Sequence, residues 1–460
     1  MRDLAVSDDP AVQAQLDRLG ALSLPQGRFG LETIRELCAR LGDPQDRLPP
    51  VLHVAGTNGK GSTCAYLRAM LEAQGHTVHV ATKPHLVRYN ERIRIAGRLI
   101  EDTLLAELLC EVLDTGADLA ASFFEVTTAA TFLAFARHPA DACVIETGLG
   151  GRLDATNVLK APAACGIASL GIDHEAFLLA PEEGVPLEPL SRIAFEKAGI
   201  AKAGVPLVTQ AYPAHVARTL LETAARLGAV SKMRGRDWFA EIGETIAYRD
   251  VTGSLDLPLP ELAGAHQADN AALAVAMLRH QGAVSVSPAA MAQGIRAARW
   301  PARLQLLRDG PLTALVPGRQ VWLDGGHNAD AGAAIARFFG SQGLRQAQPE
   351  RKSKKDSLPN SAQAEPVEAP AATLHLIIGM LAAKNPTAIV DPLRDHLASL
   401  TVVPVAGHDS HAAAAFGSNA RAAEDVAAAL RSLERSGDVL IAGSLYLAGS
   451  VLAANGEAPD

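Results

Sequence analysis

"HVAGTNGKGSTCAYL", residues 53–67, runs from an apolar stretch into three glycines around one lysine and then into a helical pattern. A strand that ends in a glycine-rich bend and opens a helix lets backbone N–H groups converge on a phosphate, and the helix N-terminus adds a favourable field. Glycine is needed there because a Cβ would block the approach. "GTNGKGST" keeps Gly59 and Lys60 of the usual GxxxxGK[ST] spacing but moves the hydroxyls on by one, to Ser62 and Thr63. Gly56, Thr57, Asn58, Gly59, Lys60, Gly61 and Ser62 are therefore the candidate nucleotide contacts, with Lys60 reaching the outer phosphates.

Around this loop, apolar runs alternate with helical patterns. "VLHVA", "TVHVAT", "DACVIE", "AACGIAS" and "VPLVT" read as strands, and a helix is expected from about Ser62 to Gln74. The alternation predicts an α/β fold: an N-terminal phosphate-loop domain with a mostly parallel sheet flanked by helices. "WFAEIGETIAYRDV" reads as antiparallel, and two helices are expected between His266 and Ala298. "RWPARLQ", residues 299–305, breaks the helical pattern with a proline and marks a boundary. Residues 1–298 form the first domain on this reading, and 299–460 a smaller, Rossmann-like α/β domain with strands in "QVWLDGG", "TLHLIIGM", "LTVVPVAG" and "GDVLIAGS". Residues 345–371, rich in Pro, Ser, Gln and charge, lack a hydrophobic period and are expected to be a disordered surface insertion whose "RKSKK" is solvated.

With 42 Lys and Arg against 50 Asp and Glu, the net charge of −8 argues against a nucleic-acid partner and leaves small acidic substrates open. Five cysteines without a CxxC pair read as reduced thiols. The start shows no basic segment leading into an apolar run, and no apolar stretch is long enough to span a bilayer, so no membrane partner, a cytoplasmic location and a monomer are expected.

Other polar residues gather where such sheets bind ligands. In "VIETGLGGRLDATNV", Glu146 ends an apolar strand ahead of glycines, where a carboxylate either holds Mg²⁺ beside phosphates or caps a loop. "SLGIDH" places His174 after another strand, with Asp173 as its neighbour. "FEKAGI" carries Lys197 next to Glu196, by itself the pattern of a solvated helix face. "SFFEVTT" combines Phe123 and Phe124 with Glu125 and Thr127, suited to a flat heteroaromatic ring or to a core helix. "LDGGHN" groups Asp324, His327 and Asn328 at a strand-to-helix turn.

"GTNGKGS" resembles the loop of the Mur-type ATP-dependent amide ligases, and the glycine after the lysine is similar to the folate branch, the folylpolyglutamate and dihydrofolate synthases. The resemblance continues in order through "KPHLVRYNERI", "FFEVTTAATFLAF", "VIETGLGGRLDATNV", "GIDH", "FEKAGI", "GAHQADNAALA", "WPARLQ", "LDGGHN" and "IIGML". It implies ATP and Mg²⁺, two ions of the latter, with Glu146, His174 and Ser62 at the metal and Lys197 carbamylated to organise the second ion. It places Asn270, Arg303 and Asp324 at the nucleotide, His327 near a glutamate site, and Phe123, Phe124, Glu125 and Thr127 along a pteroate site. Catalysis would then rest on Lys60, Lys197 and His327, joining L-glutamate to dihydropteroate and to folate tails through an acyl phosphate. "KPHL" departs from the family's "SPHL": Lys83 has no lone pair to offer a metal. A cell-wall amide ligase and a catalytically silent nucleotide-binding homologue are the rival expectations.

Overall fold

A computed structural model describes residues 6–22, 30–346, 374–434 and 436–459. The chain divides into two compact units, one made of residues up to Leu262 together with His266–Pro301, the other of Ala263–Ala265 and Ala302–Glu457. In chain order the first unit opens with α1 (Pro10–Ala21), α2 (Glu32–Arg40), β1 (Val51–Ala55), α3 (Lys60–Ala73), β2 (Val78–Ala81), β3 (Ile93–Ile95) and β4 (Arg98–Leu99). It continues through α4 (Asp102–Thr115), α5 (Phe123–Arg137), β5 (Ala142–Glu146), β6 (Ala164–Ile167), α6 (Glu175–Leu178), α7 (Pro189–Ala198), β7 (Pro206–Thr209) and α8 (Ala214–Arg226). β8 (Val230–Met233), β9 (Trp238–Ile242), β10 (Ile246–Asp250), β11 (Gly253–Leu257), α9 (His266–Arg279) and α10 (Pro288–Ala297) complete it.

The main sheet has the order β4-β3-β2-β5-β1-β6-β7-β8. From β2 to β8 all neighbours are parallel, and the β3–β4 hairpin adds an antiparallel edge. β1, β5 and β6 are buried along their whole length, which a central parallel strand covered on both faces requires. One face packs beneath α3, α9 and α10, with Tyr66, Met70, Met277 and Ile295 fully buried; the other lies beneath α4 and α5, with Leu109, Phe132 and Phe135. β9, β10 and β11 form the antiparallel sheet read from "WFAEIGETIAYRDV", extended by one strand.

In the second unit, β12 (Gln305–Leu306), β13 (Val321–Leu323), α11 (Ala329–Gln346), β14 (Leu374–Ile378), α12 (Thr387–Leu393), β15 (Leu397–Val402), β16 (Arg421–Ala422), α13 (Val426–Arg431), β17 (Asp438–Ala442) and α14 (Leu445–Asn455) follow in turn. Its sheet runs β12-β13-β17-β14-β15-β16, parallel except for β12. Each unit thus has the expected α/β architecture. Arg345 and Gln346 belong to α11, and the rest of the expected insertion, 347–371, lies outside the described residues.

Backbones touch where α3 crosses α10. A Cβ on Gly294 would stand 2.5 Å from Met70 Cα, whereas one on Gly282 meets nothing within 4 Å. Gly294→Ala is expected to lower stability by about 1–3 kcal/mol in urea unfolding, with Gly282→Ala as the silent control.

Candidate active site

β1 delivers the chain to the carboxyl edge of the sheet, between β5 and β6, where Val54 stands beside Glu146 and Ala55 beside Ile167. Room is tight. A Cβ on Gly56 would stand 2.9 Å from Ala168 Cβ, and Gly59, in a left-handed turn at φ 81°, would present one 2.4 Å from Asn270 Oδ1. Between them Thr57 is tied to the segment after β6: its N–H donates to Ser169 O (2.7 Å) and its hydroxyl donates to Gly171 O (2.9 Å). Ser169 Oγ donates to Asn58 O (3.1 Å). No side chain caps α3, so the N–H groups of Gly61 and the buried Ser62 in its first turn are placed as an anion site needs them, while that of Thr63 donates to Gly59 O (2.9 Å).

Two lysines meet behind this loop. Lys60 Nζ donates to Gly56 O (3.1 Å) and lies 4.0 Å from Glu146 Oε1. Lys197 Nζ, arriving from α7, donates to the same Gly56 O at 2.9 Å. Burial, with the Lys60 ammonium adding to it, pushes the Lys197 amine down to about 7 despite Asp173, Asp154 and Glu196. The solvated face suggested by the adjacent Glu and Lys is corrected here, since Glu196 and Lys197 are only 5% and 4% exposed. Glu196 pairs with Arg152 (2.8 Å) and Arg192 (3.0 Å), and both arginines also hold Glu182. Gly151 makes this possible, because a Cβ there would stand 2.8 Å from the carbonyl oxygens of Glu196 and Lys197.

Glu146 is 4% exposed, and its Oε2 accepts the backbone N–H of Lys83 (3.2 Å). The Lys83 ammonium donates to Thr128 Oγ1 (3.3 Å). Burial lowers its pKa, and Arg92 adds to this against Asp154 and Glu146. Asp154 is a residue the sequence reading missed, although "DAT" carries an Asx-turn signature. Its Oδ2 accepts the N–H groups of Gly148 and Leu149 (both 2.8 Å), and its Oδ1 accepts the Thr156 N–H (3.0 Å) and the Thr156 hydroxyl (2.5 Å). Burial alone would raise the Asp154 carboxyl; Lys83 and these hydrogen bonds outweigh it and hold it below the usual range. Because the Thr156 hydroxyl donates to Asp154, it accepts from His53 Nε2 (2.8 Å) on β1. Burial pushes that imidazole down to about 3.

Among the described residues no three His, Cys, Asp or Glu side chains gather as a metal cluster. Glu146 and Ser62 are both buried oxygen donors at the loop, the type that suits magnesium, whereas His174 is exposed, with φ 54°, just before α6.

α5 opens with a capping box in which Glu125 Oε2 accepts from Ser122 N (2.8 Å) and Oγ (2.7 Å). Phe123 and Phe124 meet edge to face at 5.4 Å, and Phe124 is exposed. Thr127, expected as a hydrogen-bonding partner for a flat ring, is fully buried, its hydroxyl bonded to Phe123 O (2.8 Å) and Tyr89 Oη (2.6 Å).

In the second unit, Asp324 directly follows β13 and its carboxylate accepts Leu304 N–H (2.8 Å) and Gly326 N–H (2.7 Å). This holds a strained turn in which Ala302 (φ 55°) and Leu304 (φ 44°) flank Arg303, whose Nη1 donates to Ala302 O (2.8 Å). His327 Nδ1 contacts Gly325 O (3.0 Å), and Asn328 Oδ1 accepts Ala331 N–H (3.0 Å) in the first turn of α11.

No family model matches the chain. It is 35% identical over 330 residues to the dihydrofolate synthase/folylpolyglutamate synthase of Bacillus subtilis, covering 67% of this chain and 71% of that protein. Escherichia coli FolC in complex with ADP superimposes with a TM-score of 0.77 at 29% identity, covering 96% of each chain. A bifunctional folylpolyglutamate synthase/dihydrofolate synthase with Mn, AMPPNP and L-glutamate bound gives 0.78 at 27% identity, over 96% of this chain and 97% of that one.

The Lys197 amine sets a pH dependence. Unfolded it titrates near its ordinary 10.5, folded at about 7, so the unfolded chain binds more protons between these values and stability rises with pH across that window. Lys197→Met is therefore expected to be more stable than wild type at about pH 6, with the advantage shrinking by about pH 9.5, read from urea midpoints in CO₂-depleted buffer.

Proposed function

We propose, because the chain belongs to the dihydrofolate synthase/folylpolyglutamate synthase family, that it is an ATP-dependent acid–amino-acid ligase joining L-glutamate to dihydropteroate and to the glutamate tail of reduced folates. The observation that carries this reading is the uncapped start of α3, with Lys60, Lys197 and Glu146 beside it at the carboxyl edge of a parallel sheet. The relatives' names favour it over the cell-wall ligase and the silent homologue.

A carboxylate and an amine do not condense unaided in water. Transfer of the γ-phosphoryl group of ATP to the carboxylate oxygen forms a P–O bond, breaks the bond to the β-phosphate oxygen and releases ADP, giving an acyl phosphate; the glutamate amine then attacks its carbonyl carbon, a C–N bond forms, the C–O bond breaks, phosphate leaves and the amine gives up a proton to solvent. The α3 N–H groups and Lys60 offset the charge on the moving phosphoryl group. Glu146 and Ser62 would hold magnesium, with His174 and a second ion completing the expected set; when bound, magnesium neutralises phosphate charge. Asn270, against Gly59, is suited to the nucleotide. Arg303 and Asp324 keep a nucleotide role, His327 a glutamate role, and Phe123, Phe124 and Glu125 the pteroate role that the resemblance implies.

Carbamylation of Lys197 fits its environment. An amine pushed down to about 7 is largely neutral above neutral pH, and only the neutral form adds to CO₂, losing a proton and turning a cation into an anion. At Lys83 the backbone N–H orients Glu146; in place of the serine hydroxyl absent here, either Ser62, Thr82 or water completes the metal's surroundings, or the metal dependence is altered. No helix among the described residues is long and apolar enough to cross a membrane; a cytoplasmic location and a monomer are part of the proposal.

With ATP, Mg²⁺ and glutamate, the protein is expected to release phosphate and give the mass of the glutamylated product with dihydropteroate or tetrahydrofolate, but not with a muramoyl substrate. Lys60→Ala should lower turnover by about 100-fold or more. Bicarbonate-dependent activity together with a carbamate on Lys197 by intact mass is the expected signature of modification; an active, unmodified Lys197 overturns it.

A further inference from the structure

Gly61 occupies a position where its own backbone asks for no glycine. It lies inside α3 and its φ is not positive. At such a site alanine is favoured over glycine by about 1 kcal/mol, so some outside contact must demand the missing side chain. The contact is Trp300: a Cβ on Gly61 would stand 2.6 Å from its Cζ2 and 2.7 Å from its Cε2 and Nε1. The edge of the indole that bears the N–H therefore rests on the first turn of α3, one residue from Lys60.

Trp238, fully buried, donates its Nε1–H to Lys232 O (3.2 Å). Trp300 is half-buried, and its Nε1 is not among the buried polar atoms left without a partner, so its N–H is open to a ligand or to solvent. An indole N–H can only donate, and it stands here where the uncapped helix end favours an anion. Resting on the phosphate-loop reading above, we propose that Trp300 is a further nucleotide-binding residue: its ring fills the space beside Gly61, and its Nε1–H donates to a phosphate oxygen of the bound nucleotide. Together with Asn270 against Gly59, this makes each glycine flanking Lys60 the seat of one side chain from the α9–α10 region.

ADP binding by calorimetry tests this without any turnover. Gly61→Ala is expected to weaken ADP by about tenfold or more, because the new methyl group displaces the indole. Trp300→Phe keeps an aromatic ring but has no N–H, and is expected to weaken ADP about fivefold while leaving the urea midpoint unchanged. In Gly61→Ala/Trp300→Ala the methyl group no longer meets an indole, so the double variant should bind ADP no worse than Trp300→Ala. Wild-type affinity in Gly61→Ala or Trp300→Phe, or a double variant as weak as the product of its single changes, overturns the inference while leaving the phosphate loop standing. Wild-type protein that binds no ADP overturns both.

Discussion

One backbone carbonyl, that of Gly56, receives two lysine side chains. Like charges sharing an oxygen at the buried end of β1 repel each other, and the arrangement is relieved either when one amine loses its proton or when an anion arrives. Both remedies are visible in the surroundings. The Lys197 amine already titrates near neutrality, and the N-terminus of α3 turns its N–H groups toward the same region. Glu196, the carboxylate next to Lys197 in sequence, is paired with Arg152 and Arg192, so its pull on the Lys197 ammonium is too weak to offset burial and Lys60.

Getting Lys197 to that carbonyl is a packing problem that glycines solve. Gly151 lets the loop after β5 lie directly on the α7 backbone, and Gly199 does the same in reverse, where a Cβ would stand 2.5 Å from Arg152 Cα. These close approaches bring the Arg152 guanidinium to Glu196 and fix the end of α7. Gly151 and Gly199 thus act as spacers between two pieces of main chain, a different task from that of Gly59, whose left-handed φ turns the chain into α3.

What the sequence revealed follows from how local each signal is. Strands such as "DACVIE" and "TLHLIIGM" are apolar on both faces because helices cover them, and they were legible; the β3–β4 hairpin and β8, short and half polar, were not. The phosphate loop was legible since strand, bend and helix are contiguous. Lys197 looked solvated because its burial comes from partners distant in the chain, and Thr127 looked available because nothing near it in sequence announces Tyr89. His53 hid within an apolar strand. Its partner Thr156 and the anchoring Asp154 come from a loop on the neighbouring strand, so only the register of β1 against β5 brings them together.

The contact between residue 83 and Glu146 is made through the main chain. Every amino acid except proline offers the same donor there, so the orientation of that carboxylate is indifferent to which side chain evolution installs. Lysine at this point therefore takes away a hydroxyl and adds a cation, while the main-chain donor that orients the acidic group stays in place.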